Sequence, residues 1–240
     1  MKGIDTWLHP SESNVNIGYL PGEIAFPDNM TGDEYIKYIG ELEDVKDYTR
    51  AKELIEIFGI DTSGKIKKMS KGMKQKVGII SAFMNQPEIL ILDEPTSGLD
   101  PIMQNRFIEL LQEEKEKGTT ILLSSHMFNE VERTCDRVAI IRQGYIVTKI
   151  NIVDIKHAKD KKYKVEFINE KDYDSFMKEK LDVSYTNPKK RQAEVNVKDD
   201  DINAFFGILN KYQIKFFSEI KKSLEDYFMS FYRGDTNNDK

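Results

Sequence analysis

Ile89-Leu90-Ile91-Leu92-Asp93-Glu94-Pro95, continuing as Thr96-Ser97-Gly98-Leu99-Asp100, is the stretch whose reading decides the fold. Four apolar residues between Pro87 and Asp93 predict a strand buried on both faces of a parallel sheet, since a half-exposed strand would alternate apolar and polar. The carboxylates of Asp93 and Glu94 then emerge at the strand's C-terminal edge, where open α/β sheets bind ligands. A second run, Thr120-Ile121-Leu122-Leu123-Ser124-Ser125, predicts another buried strand with His126 at its end. Val138 to Ile141 is a third. Helices near residues 103 to 117 and 127 to 135 alternate with these runs, the pattern of a parallel sheet covered by helices.

Upstream, Met69-Ser70-Lys71-Gly72-Met73-Lys74-Gln75-Lys76 opens a segment in which Met73, Val77, Ile80 and Met84 recur at helical spacing. Ser70 is the predicted N-cap and Gly72 falls in the first turn, so free amide donors face outward there and suit a phosphate. Together these stretches resemble the signature motif, Walker B strand and D-loop of an ATP-binding cassette (ABC) protein, and His126 matches that family's H-switch. The common Leu-Ser-Gly-Gly-Gln is replaced by Met69-Ser70-Lys71-Gly72-Met73: Ser70 and Gly72 keep their places, Lys71 and Met73 depart. The variant is similar to that of ATPase subunits of bacterial drug, peptide and antibiotic-resistance exporters. Lys71 either adds attraction for phosphate or is simply solvated.

The resemblance implies an α/β fold: a truncated P-loop NTPase (ABC cassette) core with parallel sheet and helical subdomain, plus a small α+β C-terminal domain. It implies ATP and Mg²⁺ as ligands, with Asp93 holding the metal through water, Glu94 polarising the attacking water and His126 sensing the γ-phosphate. Ser70, Lys71 and Gly72 would contact ATP held by an opposite subunit, with Ser97 and Asp100 in the D-loop between. Asn16-Ile17-Gly18-Tyr19-Leu20-Pro21-Gly22-Glu23 resembles the entry to the Q-loop, where the family has Gln or Glu at the place of Gly22; Glu23, one residue late, is the candidate magnesium ligand from that loop. Thr31 and Glu34 spell a capping box ahead of Tyr35, Ile39 and Leu42 on one helical face, and a further helix is predicted from Thr49 to Phe58.

The family's phosphate-binding P-loop is expected upstream of the Met1-Lys2-Gly3-Ile4-Asp5-Thr6-Trp7 opening, which looks like a hairpin end following it. Either the protein starts earlier or the chain is a remnant without that loop. Gly59-Ile60-Asp61-Thr62-Ser63-Gly64-Lys65 spells G-x-x-x-x-G-K, but a working P-loop follows a strand, opens a helix and puts Ser or Thr after the lysine. Here a helix precedes it and Ile66 follows, so a helix C-terminal glycine and a turn are predicted instead.

With 36 basic and 41 acidic side chains the net charge of -5 suggests neither nucleic-acid affinity nor a polybasic membrane anchor. Cys135 is the only cysteine, which excludes an internal disulfide and suits a reducing compartment. No stretch is long and apolar enough to span a bilayer. Two domains are expected, residues 1–152 and 160–233, joined by a solvated lysine-rich hinge at Lys156 to Lys164 and followed by a disordered 234–240 tail. In the second domain, strands are expected at Tyr163–Phe167, in a hairpin over Asp182–Val197 turning at Asn187-Pro188, and at Ile214–Ile220. Helices are expected at Tyr173–Lys180, Ile202–Tyr212 and Leu224–Tyr232, an order that resembles a small split βαβ domain. His9 and His157 are expected to be surface residues.

The resemblance implies an ATP-hydrolysing subunit of an exporter. It would be cytoplasmic, peripheral on the inner face of the membrane through a separate permease with transmembrane helices, and paired with a second ATP-binding subunit in a homo- or heterodimer. The alternative is a non-catalytic partner that contributes only its signature motif to a composite site. Tandem-cassette translation factors are disfavoured because no internal repeat is present, and DNA-repair relatives because no long coiled coil is.

Overall fold

The computed structural model describes residues 3, 5–9, 16–156, 160–221 and 223–233. The predicted 234–240 tail, His157 with the rest of 157–159 in the hinge, and Met1, Lys2 and Ile4 of the opening segment lie outside the described residues. The chain divides into two compact units, Met1–Thr134 and Cys135–Lys240.

In the first unit β1 (Ile17–Leu20), β2 (Ile89–Asp93) and β3 (Thr120–Ser124) pair in parallel in that order. The register sets Leu90 opposite Gly18 and Ile121, and Asp93 opposite Ser124. Among the described residues five α-helices accompany them: α1 (Gly32–Leu42), α2 (Thr49–Phe58), α3 (Lys71–Phe83), α4 (Pro101–Glu116) and α5 (Phe128–Thr134). The capping box that starts α1 is complete, with Glu34 N–H donating to Thr31 Oγ1 and Thr31 N–H to Glu34 Oε2. Helix α2 stops where Gly59 adopts φ +53°, a left-handed C-cap. A 3₁₀ turn over Ile66–Lys68 follows, so Gly59–Lys65 runs from a helix end into a turn and lacks the strand-to-helix setting of a P-loop.

Val77, Ile80 and Phe83 of α3 and Phe107, Leu110 and Leu111 of α4 bury themselves with Leu20, Leu90 and Leu92 of the sheet. Each such side chain contributes about 1.5–3 kcal/mol by leaving water. The approach of α3 to β1 depends on Gly18, because a Cβ there would stand 2.0 Å from the Ala82 carbonyl oxygen. Arg50 of α2 ties the helical layer to α4: Nη2 lies 2.9 Å from Glu114 Oε1, and both side chains are largely withdrawn from solvent.

Two expectations need correction. Strands β2 and β3 are not buried on both faces: Leu90 and Leu92 are buried, but Ile89 and Ile91 only partly, and Leu122 is 65% exposed. An apolar run reports that a strand can be covered twice, not that two layers are there to cover it. Nor does the Val138–Ile141 run enter the parallel sheet. It lies in β4 (Arg137–Arg142), which pairs antiparallel with β5 (Tyr145–Asn151) in a two-stranded sheet. The turn explains this, since Gln143 and Gly144 both have positive φ (50° and 82°), the geometry that matches a two-residue hairpin to strand twist. This hairpin groups with the second unit, whereas the sequence assigns it to the first domain.

The second unit continues with α6 (Ile152–Lys156), β6 (Asp160–Phe167), α7 (Glu170–Phe176), β7 (Asp182–Asn187), β8 (Gln192–Lys198), α8 (Ile202–Leu209), β9 (Ile214–Ile220) and α9 (Leu224–Arg233). The strands form an antiparallel sheet in the order β7-β8-β6-β9, the split βαβ arrangement. Val165 and Phe167 of β6 and Ala193 and Val195 of β8 share the face covered by Phe176 and Phe205. Helix α7 begins before the predicted Tyr173 because Asn169 caps it, accepting from Asp172 N–H at 2.8 Å.

Glu114→Ala removes the buried partner of Arg50, which keeps Glu53 at 3.0 Å and Glu113 at 3.8 Å, and is expected to cost about 2 kcal/mol. Glu109→Ala, which removes an exposed partner of Arg106, is expected to change stability by less than about 1 kcal/mol. Chemical denaturation of the two variants checks the contrast.

Candidate active site

Strand β2 delivers Asp93 to the sheet's C-terminal edge, and the chain then turns sharply. Glu94 has φ +47°, a left-handed conformation that costs a non-glycine residue on the order of 1 kcal/mol or more. It is held there by its own N–H, which lies 3.1 Å from Ser124 O and 3.2 Å from Ser124 Oγ. The Ser124 hydroxyl donates to Asp93 Oδ1, so the tip of β3 fixes both carboxylate residues of the neighbouring strand. Two residues further on, His126 Nδ1 lies 2.6 Å from Glu94 Oε2. The Glu94 side chain is 34% exposed and that of His126 75%, so the pair is open to a ligand.

The loop after β1 comes against Asp93 from the other side. A Cβ on Gly22 would stand 2.9 Å from Asp93 Oδ2, so it is Gly22 that abuts the carboxylate, while Glu23 points into solvent-exposed surroundings. Among the described residues no group of three or more His, Cys, Asp or Glu is arranged as a metal site. One carboxylate with open surroundings suits Mg²⁺, which keeps its waters and shares its ligands with substrate phosphates.

The second group of predicted residues sits at the start of α3. Ser70 caps it, accepting from Met73 N–H at 3.2 Å. Gly72 packs on the Ser97–Asp100 turn so closely that a Cβ would lie 2.6 Å from Gly98 O. Gly98 has φ +80° and rests against the aliphatic stem of Lys71. Asp100 caps α4, accepting from Ile102 and Met103 N–H at 3.0 Å each, with Pro101 in the first helical position. The buried Gln75 amide donates to Pro95 O at 2.8 Å. The turn from Pro95 to Leu99 thus links the helix start bearing Ser70 to the strand tip bearing Glu94.

A family model described as "AAA domain, putative AbiEii toxin, Type IV TA system" matches residues 4–131. The ATP-binding protein NatA of Bacillus subtilis is 38% identical over 61% of this chain and 62% of its own length. An uncharacterized ABC transporter ATP-binding protein of Alkalihalophilus pseudofirmus is 30% identical over 95% of this chain and 88% of the relative. The chain belongs to the ABC transporter ATP-binding proteins and to the AAA-domain family of that model. A solved ABC protein, described as the ATP-binding subunit of an ABC transporter, superposes with a TM-score of 0.61 at 31% identity, over 65% of this chain and 68% of that one. The chain spans less than two thirds of the length of the first curated ABC relatives it matches.

Ser124, Gln75 and Glu130 belong to this ABC protein's site region although their sequence positions do not announce it. Ser124 reads as the last residue of a strand, and Glu130 as one more acidic residue on a helix. Glu130 is nevertheless 2% exposed. Its Oε2 accepts from Ser125 Oγ at 2.5 Å and lies 3.3 Å from Thr96 Oγ1. Burial pushes its carboxyl above the usual range, against the lowering pull of the Ser125 and Thr96 hydroxyls; nearby Glu94 adds to the rise and His126 opposes it.

A carboxyl raised on folding favours the protonated native state, so the folded ABC protein loses stability as pH climbs from the ordinary carboxylate range through the raised value. Glu130→Gln is expected to match the wild type at acid pH and to exceed it near neutrality. Denaturation across that pH range checks it, and parallel curves would contradict the assignment.

Proposed function

We propose that this chain is the ATP-binding and ATP-hydrolysing subunit of an exporter, working against a separate membrane permease from its cytoplasmic side. The observation that carries the reading is the Glu94–His126 pair beside Asp93 at the edge of a parallel sheet. In this reading Glu94 takes the proton of the attacking water, and His126, bonded to Glu94 through Nδ1, presents its other ring nitrogen toward the γ-phosphate. Asp93, oriented by Ser124, would hold Mg²⁺ through water, and the ion when bound neutralises developing phosphate charge. Ser70, Lys71 and Gly72 meet the phosphate of ATP on a second subunit with free amides at a helix start, and Ser97 and Asp100 shape the turn beside it. Residues 160–233 act as an accessory domain in dimer contacts or regulation. Among the described residues no helix is long and apolar enough to cross a membrane.

A second reading is kept by one observation: Gly59–Lys65 is not built as a phosphate-cradling loop. In it the chain lends only Ser70 to Gly72 to a composite site whose P-loop and catalytic carboxylate belong to the other subunit. Two substitutions separate the readings. Glu94→Gln in this chain is expected to lower ATP turnover by about 10² or more, with ATP-dependent dimerisation retained. Turnover untouched by Glu94→Gln but lost on Ser70→Arg would remove Glu94 from the role of base and leave the second reading.

A further inference from the structure

Glu130 breaks a rule that nearly all of the first unit obeys, with Arg50 Nε as its one companion among the described residues. Its carboxyl group is buried on α5, yet one oxygen, Oε1, has no hydrogen-bond partner among the described residues. Glu130 is one of the residues lining a cavity of about 130 Å³ whose walls also include Thr96, Gln104, Asn105 and Met127. Burying a carboxyl with half its acceptor capacity unused is unfavourable, and a leucine would fill the same place without that penalty. Such departures collect at functional sites.

The partners of the other oxygen show what the arrangement does. Ser125, which donates to Oε2, directly precedes His126, and Thr96 follows Glu94 by two residues. Ser125 is itself fixed, because Met127 N–H donates to its Oγ at 3.0 Å. The chain from Glu94 to Thr96, the Glu130 carboxyl, the chain from Ser125 to His126 and the Glu94–His126 hydrogen bond form one closed ring. Beyond the Glu94 N–H bonds to Ser124 and the 3.6 Å contact of Thr96 Oγ1 with Met127 Sδ, two side-chain links join the loops: the open Glu94–His126 contact and the buried Glu130 bridge. Helix α5 is in turn anchored on α4, where Arg133 Nη1 lies 2.6 Å from Asn105 Oδ1 and Gln112 Nε2 lies 3.2 Å from Arg133 O. The bridge therefore hangs from a fixed frame.

We propose that Glu130 is a positioning residue that holds the loop carrying Glu94 against the loop carrying His126. Its effect on hydrolysis rests on the reading of Glu94 and His126 given above; its effect on the loops does not. In Glu130→Ala both loops lose their common acceptor, while Glu130→Gln keeps a carbonyl oxygen for Ser125 and Thr96. Amide hydrogen exchange of the full chain tests this without any turnover. In Glu130→Ala, segments 93–99 and 125–130 are expected to exchange about tenfold faster while α1 is unchanged, and Glu130→Gln is expected to exchange no faster than wild type. Exchange unchanged in Glu130→Ala, or accelerated equally in α1, would overturn the proposal in favour of a packing role. In the protein isolated with its partners, Glu130→Ala is expected to lower kcat for ATP about tenfold with KM nearly constant, and Glu130→Gln to restore it. A kcat as high in Glu130→Ala as in wild type overturns the positioning role. The local exchange response in a wild type that does not hydrolyse ATP supports the bridge and refutes the hydrolytic reading instead.

Discussion

The parallel register that sets Asp93 opposite Ser124 is the constraint on which the rest of the site depends. Because Asp93 and Ser124 end their strands at the same level, one serine orients the Asp93 carboxylate through its hydroxyl and fixes the Glu94 backbone through its carbonyl. His126 then arrives two residues later, within hydrogen-bond reach of Glu94. A slip of one residue would invert every side chain of β3 and turn the half-buried side bearing Ile121 and Leu123 outward. The left-handed backbone at Glu94 is tolerated only because the neighbouring strand supplies acceptors for its N–H.

Glycine sets the distances around that register. Gly18 admits the Ala82 carbonyl against β1, Gly22 lets the next loop lie on Asp93, and Gly72 lets the start of α3 touch the Gly98 carbonyl. At these three points a methyl group would meet oxygen at 2.9 Å or less, and shifts of that size propagate in a close-packed interior. The buried Gln75 amide and the Glu130 carboxyl do the complementary work, joining the loops that the glycines allow to approach.

What could be read from the chain was what local chemistry dictates. The Thr31–Glu34 box, the Ser70 cap, the limits of α2 at Thr49 and Phe58 and the strand Ile214–Ile220 lie where their residues place them. The Asp93–Glu94 and His126 elements come together at one edge because each follows a strand of the same parallel sheet. What could not be read depends on neighbours distant in sequence. Ile91 and Leu122 look like core residues in one dimension, and only the number of layers decides that they are not. Val138 to Ile141 looks like its parallel predecessors, and only the two positive φ angles at Gln143 and Gly144 turn it into a hairpin. Glu130 carries no local mark at all. Its role arises from two hydroxyls on other segments and from the solvent they exclude.

The central claim is that the edge formed by Asp93, Glu94 and His126 is where nucleotide phosphate sits. A structure of the protein with its native partners, in the presence of Mg²⁺ and an ATP analogue that resists hydrolysis, tests it most directly. The account predicts the terminal phosphate beside His126 and Glu94, with the metal within a water's reach of Asp93. A nucleotide bound away from that edge, leaving both carboxylates facing solvent, would contradict it.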